Sequence, residues 1–209
     1  MAVSSPSSGN EPTVTANRIP TAYSSLPDQD YFRTLELYPG AGDDPLQCRL
    51  LDVQLNDDDV DYEALSYVWG DVTTTSHVEN LTSSTESAFL PVASNLHQAM
   101  LALRLTDESR LLWIDALCIN QNDTQERSHQ VAHMGRIFAQ ATRVLVWLGP
   151  EDDQSSLCVG VIRSVGTEVA KQAVPGMSME DVEVMTELDA NDWELVDAFY
   201  SRPWFWRVW

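Results

Sequence analysis

LWIDALCINQNDTQERSHQVAHMGRIFAQATRVLVWLGP, residues Leu112–Pro150, decides the fold of this 209-residue chain. It begins inside an apolar run, RLLWIDAL at Arg110–Leu117, that reads as a strand. A polar loop follows, carrying Asp115, Cys118, Asn120, Gln121, Asn122 and Asp123. Asp123 is placed to cap a helix, with Glu126 three residues on as its capping-box partner. Val131, Met134, Ile137, Phe138 and Ala141 then fall on one helical stripe, the spacing of a core-facing surface. Arg143–Leu148 (RVLVWL) is a second strand, apolar enough to expect helices over both of its faces. A strand, helix and strand in this order imply a parallel sheet, in which ligands meet the loops leaving the strands' carboxyl ends.

Working outward, Tyr62–Trp69 (YEALSYVW) is a buried strand ending at Gly70-Asp71. Pro91–Leu105 reads as a helix capped by Ser94 or Asn95. Between them a short strand fits either His77–Leu81 or Ala88–Leu90. Tyr31–Leu37 and Leu46–Leu55 form an additional amino-terminal hairpin beside the main sheet. Residues 1–30, rich in Ser, Pro, Thr and Asn, are expected to be a disordered tail, leaving 31–209 as one domain. Beyond Pro150, Ser155–Ala173 reads as a helix, Val174–Ser178 (VPGMS) breaks it, and Met179–Tyr200 resumes helical pattern with a restart at Asn191-Asp192. The aromatic RPWFWRVW at the end is unusual for a terminus, and suggests a domain cut short.

Thirty-two acidic against 12 basic residues give a formal charge of −20, a field that disfavours nucleic acid and anionic lipid as partners. Three irregularly spaced cysteines, Cys48, Cys118 and Cys158, fit reduced thiols in a cytoplasmic protein. There is no secretory signal pattern, and no apolar run has the length of a membrane span.

Candidate chemistry gathers on two loops. Ser66, Trp69, Gly70 and Asp71 leave one strand, and Asp115, Cys118, Asn120 and Gln121 leave the next, so the two are expected to share a rim. Asp115 can hold a hydroxyl or a cation, or cap the backbone of its own loop. Cys118 as a nucleophile would need a histidine in reach, and a buried small hydrophobe is the simpler reading. Arg127 is a candidate anion contact, or a partner for Asp123. His129 and His133 share a helix face, read as solvated, with no third metal ligand in the pattern, so no metal is expected. Asp57–Asp59 is read as a solvated acidic loop. Trp69, Trp113, Trp147 and Trp204 are expected core anchors. No phosphate loop, GxSxG or HExxH motif is present.

YEALSYVWGD at Tyr62–Asp71, the opening stretch Leu112–Pro150 and SRPWFWRVW at Ser201–Trp209 resemble, in order, the three blocks of the heterokaryon incompatibility (HET) domain of filamentous fungi. The resemblance implies a signalling module that triggers programmed cell death after non-self recognition, working through self-association or contact with another incompatibility protein. It also implies a distant likeness to TIR domains. The expected fold is then α/β, a flavodoxin/TIR-like parallel sheet flanked by helices with the extra amino-terminal β-hairpin. TIR likeness implies an alternative, an enzyme cleaving NAD or another nucleotide with a Glu a few residues past the Trp-containing block. This chain stops at Trp209, before such a Glu, so the non-catalytic reading without a cofactor is preferred and no catalytic residue is assigned.

Overall fold

The computed structural model describes residues 23–55, 57, 59–71, 73, 75–82, 88–172 and 188–207. Seven strands form one mixed sheet: β1 (Tyr31–Leu37), β2 (Gln47–Gln54), β3 (Glu63–Tyr67), β4 (Thr75–Asn80), β5 (Ala88–Ala93), β6 (Arg110–Trp113) and β7 (Arg143–Trp147). The helices are α1 (Ser94–Leu103), α2 (Asp115–Cys118), α3 (Thr124–Gln140), α4 (Ser155–Gln172) and α5 (Ala190–Tyr200), followed by a 3-10 turn at Pro203–Trp206.

The strand order is β5-β4-β2-β1-β6-β3-β7. β6, β3 and β7 are mutually parallel, and β3, first of the three in the chain, lies between the other two. That is the order 2-1-3 of a doubly wound sheet, and it puts a crevice at the carboxyl end of β3. The fold is α/β, as the sequence implies, with this parallel trio at one end of the sheet and one further parallel pair, β2–β4, among otherwise antiparallel neighbours. The β1–β2 hairpin joins it through an antiparallel β1–β6 pair, so the hairpin sits inside the sheet instead of beside it.

Register assigns the helices to faces. Ala64 stands opposite both Trp113 and Val144, so the three side chains share one face. Phe138 of α3 meets Trp113 edge-on, ring centroids 5.2 Å apart, which lays α3 over that face. Trp147 lies on the other face, where its indole N–H donates to Asn95 Oδ1 of α1 at 2.9 Å. The core is continuous across the sheet, with Phe32, Leu35, Leu65, Leu96, Met100, Leu112, Trp113 and Ile137 each at most 2% exposed.

Several local expectations change. Asp123 caps α3 by accepting from Gln125 N and Glu126 N at 2.9 and 3.0 Å, but Glu126 does not complete a capping box. Its carboxylate turns inward to Arg33, as described below. The buried stripe of α3 is led by Gln130 (2% exposed) and Ile137, while Val131 is 54% exposed. Gln130 is drawn in because its amide donates to Tyr31 O at 2.8 Å. α1 starts after Ala93 with no side-chain cap, and Pro91 lies in β5. Asn95 is not free to cap because its side chain bonds Val68 O at 2.5 Å and the Trp147 indole. β6 ends at Trp113, and Asp115–Cys118 coil into α2. β7 is an edge strand with Val144 and Val146 exposed, not one covered on both faces.

Within the stretch expected to be a tail, Tyr23 and Ser24 touch the body: the Tyr23 hydroxyl donates to Leu117 O at 3.1 Å. Residues 1–22 lie outside the described residues, as do VPGMS and 179–187. Asp189 caps α5 in a full capping box with Asp192, close to the expected restart at Asn191-Asp192. Among the described residues, no helix is long and apolar enough to cross a membrane and no His, Cys, Asp and Glu group is arranged to hold a metal ion.

Candidate functional site

β3 and β6 deliver their following loops to one rim because the strands are parallel. There the Trp69 indole N–H donates to Asp115 Oδ2 at 3.0 Å. The other oxygen, Oδ1, accepts from Ala116 N at 2.7 Å. The Tyr67 hydroxyl, on the last residue of β3, also donates to this carboxylate. Burial raises the Asp115 pKa, while the Trp69, Ala116 and Tyr67 hydrogen bonds and the nearby Arg207 charge lower it. Tyr67 is pushed upward too, first by burial and then by Asp115. The result is a desolvated carboxylate that takes three hydrogen bonds from the chain itself.

The remaining rim residues take distinct places. Gly70 adopts φ +72°, a backbone conformation that favours glycine, and an added Cβ would lie 3.3 Å from Asn95 Cβ. Gly70 therefore lets the β3 loop pass close to α1. Asp71 is exposed and turns back on Thr73, accepting from its N at 2.8 Å and its hydroxyl at 2.7 Å, which lowers its pKa. Gln121 reaches the rim by donating from Nε2 to Asp115 O at 3.0 Å. Asn120 N donates to Glu126 Oε1 at 2.7 Å, and the Asn120 side chain accepts from Asn122 N at 3.2 Å. Arg127 is exposed and donates to Gln121 O at 3.3 Å, so it clamps the loop's backbone.

Cys118 is not on the rim. It is 1% exposed, accepts from Ile114 N at 3.3 Å, and burial pushes its thiol up to about 12. It turns inward because α2 coils where a straight strand was expected. Trp69, expected both on the rim and as a core anchor, is 42% exposed on the rim, while Trp113 is the fully buried anchor. His129 and His133 are half-buried.

Three features of the rim go beyond the sequence reading. Tyr67 supplies a third donor to Asp115. Trp204 donates to Ser66 Oγ at 3.0 Å, and Arg207 donates to Tyr67 O, so the aromatic segment seals the site from the α3 side. The third is the ion pair that holds the second loop. Arg33, 1% exposed on β1, grips Glu126 with Nη1–Oε1 at 2.5 Å and Nη2–Oε2 at 3.1 Å. It also donates to Cys118 O at 3.3 Å and to Ser24 O at 2.6 Å, and packs over the Tyr23 ring. A lone arginine in the strand-like YFRTLEL was the visible signal for it.

At the opposite, amino-terminal end of the parallel strands, Glu63 of β3 binds Arg110 of β6 and Arg143 of β7. The Arg110 hydrogen bond is the largest influence lowering its pKa; burial opposes it and Arg143 assists. The trio is thus tied by charge at one end and by the Trp69–Asp115 rim at the other.

Comparison with known proteins agrees with this arrangement of blocks. The chain is 37% identical, over 147 residues, to "Heterokaryon incompatibility protein 6, OR allele" of Neurospora crassa. The aligned part is 66% of this chain and 22% of that protein, so the chain spans about a fifth of its relative's length. No solved structure matches the chain significantly. Residues 62–209, which contain β3, both rim loops and the sealing aromatic segment, match the family described as Heterokaryon incompatibility protein (HET), and the chain belongs to that family.

Proposed function

We propose that this chain is a signalling module of fungal heterokaryon incompatibility, which answers non-self recognition by triggering cell death through protein contacts in the cytoplasm. The family match and the name of the Neurospora relative support the incompatibility role. The observation that favours signalling over chemistry is the state of Asp115. Its carboxylate receives hydrogen bonds from Trp69, Ala116 and Tyr67, so it is engaged as a structural acceptor. A carboxylate free to meet a substrate keeps unfilled acceptor directions, and three donors here leave few. The rim then orients the loops at 69–71 and 120–122 as a contact surface. A partner protein, another incompatibility protein or a second copy, reads that surface.

Inducible expression of the chain in a filamentous fungus tests the proposal. The expected result is death of the expressing compartments, with no loss of NAD from a reaction containing the purified chain. NAD consumption by the purified chain overturns the signalling reading in favour of an enzyme. Normal growth at full protein level overturns the death-signalling role.

A further inference from the structure

We propose that the cleft between residues 25–29 and the first two turns of α3 binds an alkylammonium group, the charged end of a free amine or of a lysine side chain. This goes beyond the signalling reading and does not rest on it. The cleft has a volume of about 320 Å³, near the lower end of the range for small-ligand sites, and suits an aminoalkyl chain. Ser25, Leu26 and Asp28 line it from the segment before β1, and Asp123, Glu126 and Gln130 from α3 and its cap. Gln130 is the residue that points to a ligand. It is 2% exposed, and its Nε2 donates to Tyr31 O at 2.8 Å. That bond fixes which way the amide faces, so the end left over is Oε1, an acceptor. Among the described residues Oε1 has no hydrogen-bond partner. A buried acceptor without a donor is rare and costly, and a ligand that brings a donor removes the cost.

The other lining groups set the ligand's charge. Asp28, Asp123 and Glu126 bring three carboxylates, and among the described residues no lysine or arginine lines the cleft. Arg33 already holds both oxygens of Glu126, so the two-pronged carboxylate that a guanidinium seeks is taken. Asp28 and Asp123 each use Oδ1 on backbone N–H groups, and neither Oδ2 has a partner among the described residues. What remains is a set of single acceptors on separate residues. These match the three rotatable donors of an ammonium better than a planar fork. Leu26 offers apolar surface to the methylene stem. No His, Cys, Asp and Glu group among the described residues is arranged to hold a metal ion, so a bare divalent cation is the poorer fit. The formal charge of −20 draws cations toward the chain, and salt weakens that attraction. Glu126 Oε1 also accepts from Asn120 N at 2.7 Å, so the cleft adjoins the loop at 120–122.

An NMR titration of the purified full chain, following the Gln130 side-chain amide, tests this without any response in a host. The probes are cadaverine, a lysine capped at both ends as amides, and pentan-1-ol as the neutral counterpart. Saturable shifts with both amines are expected, with a dissociation constant on the order of 1 mM for so small a ligand, and none with the alcohol. Tighter binding of the capped lysine assigns the site to a protein's side chain, and tighter binding of cadaverine to a free amine. Asp28→Asn with Asp123→Asn removes two charges while asparagine keeps the α3 cap, and weakens binding roughly fivefold. Asp107→Asn with Glu108→Gln removes the same charge from an exposed turn outside the cleft and leaves binding unchanged. Gln130→Met removes the floor acceptor and weakens binding roughly tenfold or more. It also releases Tyr31 O, so circular dichroism verifies its fold, and the Asp28 and Asp123 variant decides the matter if it does not fold. Absence of a saturable shift overturns the proposal. So does an equal response to pentan-1-ol, or an affinity that the Asp28 and Asp123 variant leaves as it was.

Discussion

Replacing Glu126 by alanine is expected to destabilise the fold by about 3–5 kcal/mol, the cost of leaving a buried charge without its partner. The charge left behind is Arg33, 1% exposed and 93 residues away in sequence. Its guanidinium would keep the Cys118 and Ser24 carbonyls, with Asp52 at 3.6 Å from Nε, but lose the bidentate carboxylate. Glu126 also holds Asn120 N, so the loop between α2 and α3 loosens with it. For a domain of this size the loss lowers Tm by roughly 10 °C. Urea and thermal unfolding measure it. Arg33→Met combined with Glu126→Leu removes both charges together and is expected to recover most of the loss, since an apolar pair of similar volume often replaces a buried ion pair without penalty. A Glu126→Ala loss below about 1 kcal/mol, the size typical of an exposed pair, would sink this account of the loop.

Glu63→Gln carries the second large effect, about 2–3 kcal/mol, reduced from the fully buried case because Arg143 is well exposed and screened. It removes the negative charge between Arg110 and Arg143 and leaves two cations facing each other across β3. Its pH dependence is the sharper readout. The Glu63 pKa is lowered in the folded chain. The unfolded state therefore binds the proton first, and the stabilisation is fully present above the ordinary carboxylate pKa. It is lost as pH falls through the depressed folded value. Wild-type stability is expected to fall on acidification across that window, with Glu63→Gln falling less steeply. Parallel slopes for the two proteins would contradict the assigned role.

These two ion pairs mark where sequence reading stops. Patterns carried by neighbouring residues were legible: Tyr31–Leu37 is a strand at the expected bounds, and Asp123 caps α3 as its spacing implies. The parallel relation of β3, β6 and β7 was legible too, because RLLWIDAL and RVLVWL bracket an amphipathic helix. What escaped depends on groups far apart in the chain. Glu126 has the spacing of a capping box, but a buried guanidinium is a stronger partner than the backbone N–H of a helix end. Asn95 has the chemistry of a cap, yet Val68 O and the Trp147 indole recruit it. Val131 fits the apolar period while Gln130 takes the buried place, because the Tyr31 carbonyl requires a donor there. At the rim, the meeting of Trp69 and Asp115 follows from strand direction alone. The third donor, Tyr67, and the seal by Trp204 and Arg207 follow only from packing.

The most direct test of the rim is a carbon-detected NMR titration of the Asp115 carboxyl in the wild-type chain and in Trp69→Phe. The structure predicts that Asp115 titrates above the usual aspartate range, since burial outweighs its hydrogen bonds. Removing the Trp69 N–H, a donor that favours the charged form, is predicted to raise it further. An Asp115 that titrates at the ordinary aspartate value and does not respond to Trp69→Phe would show that the two loops do not meet.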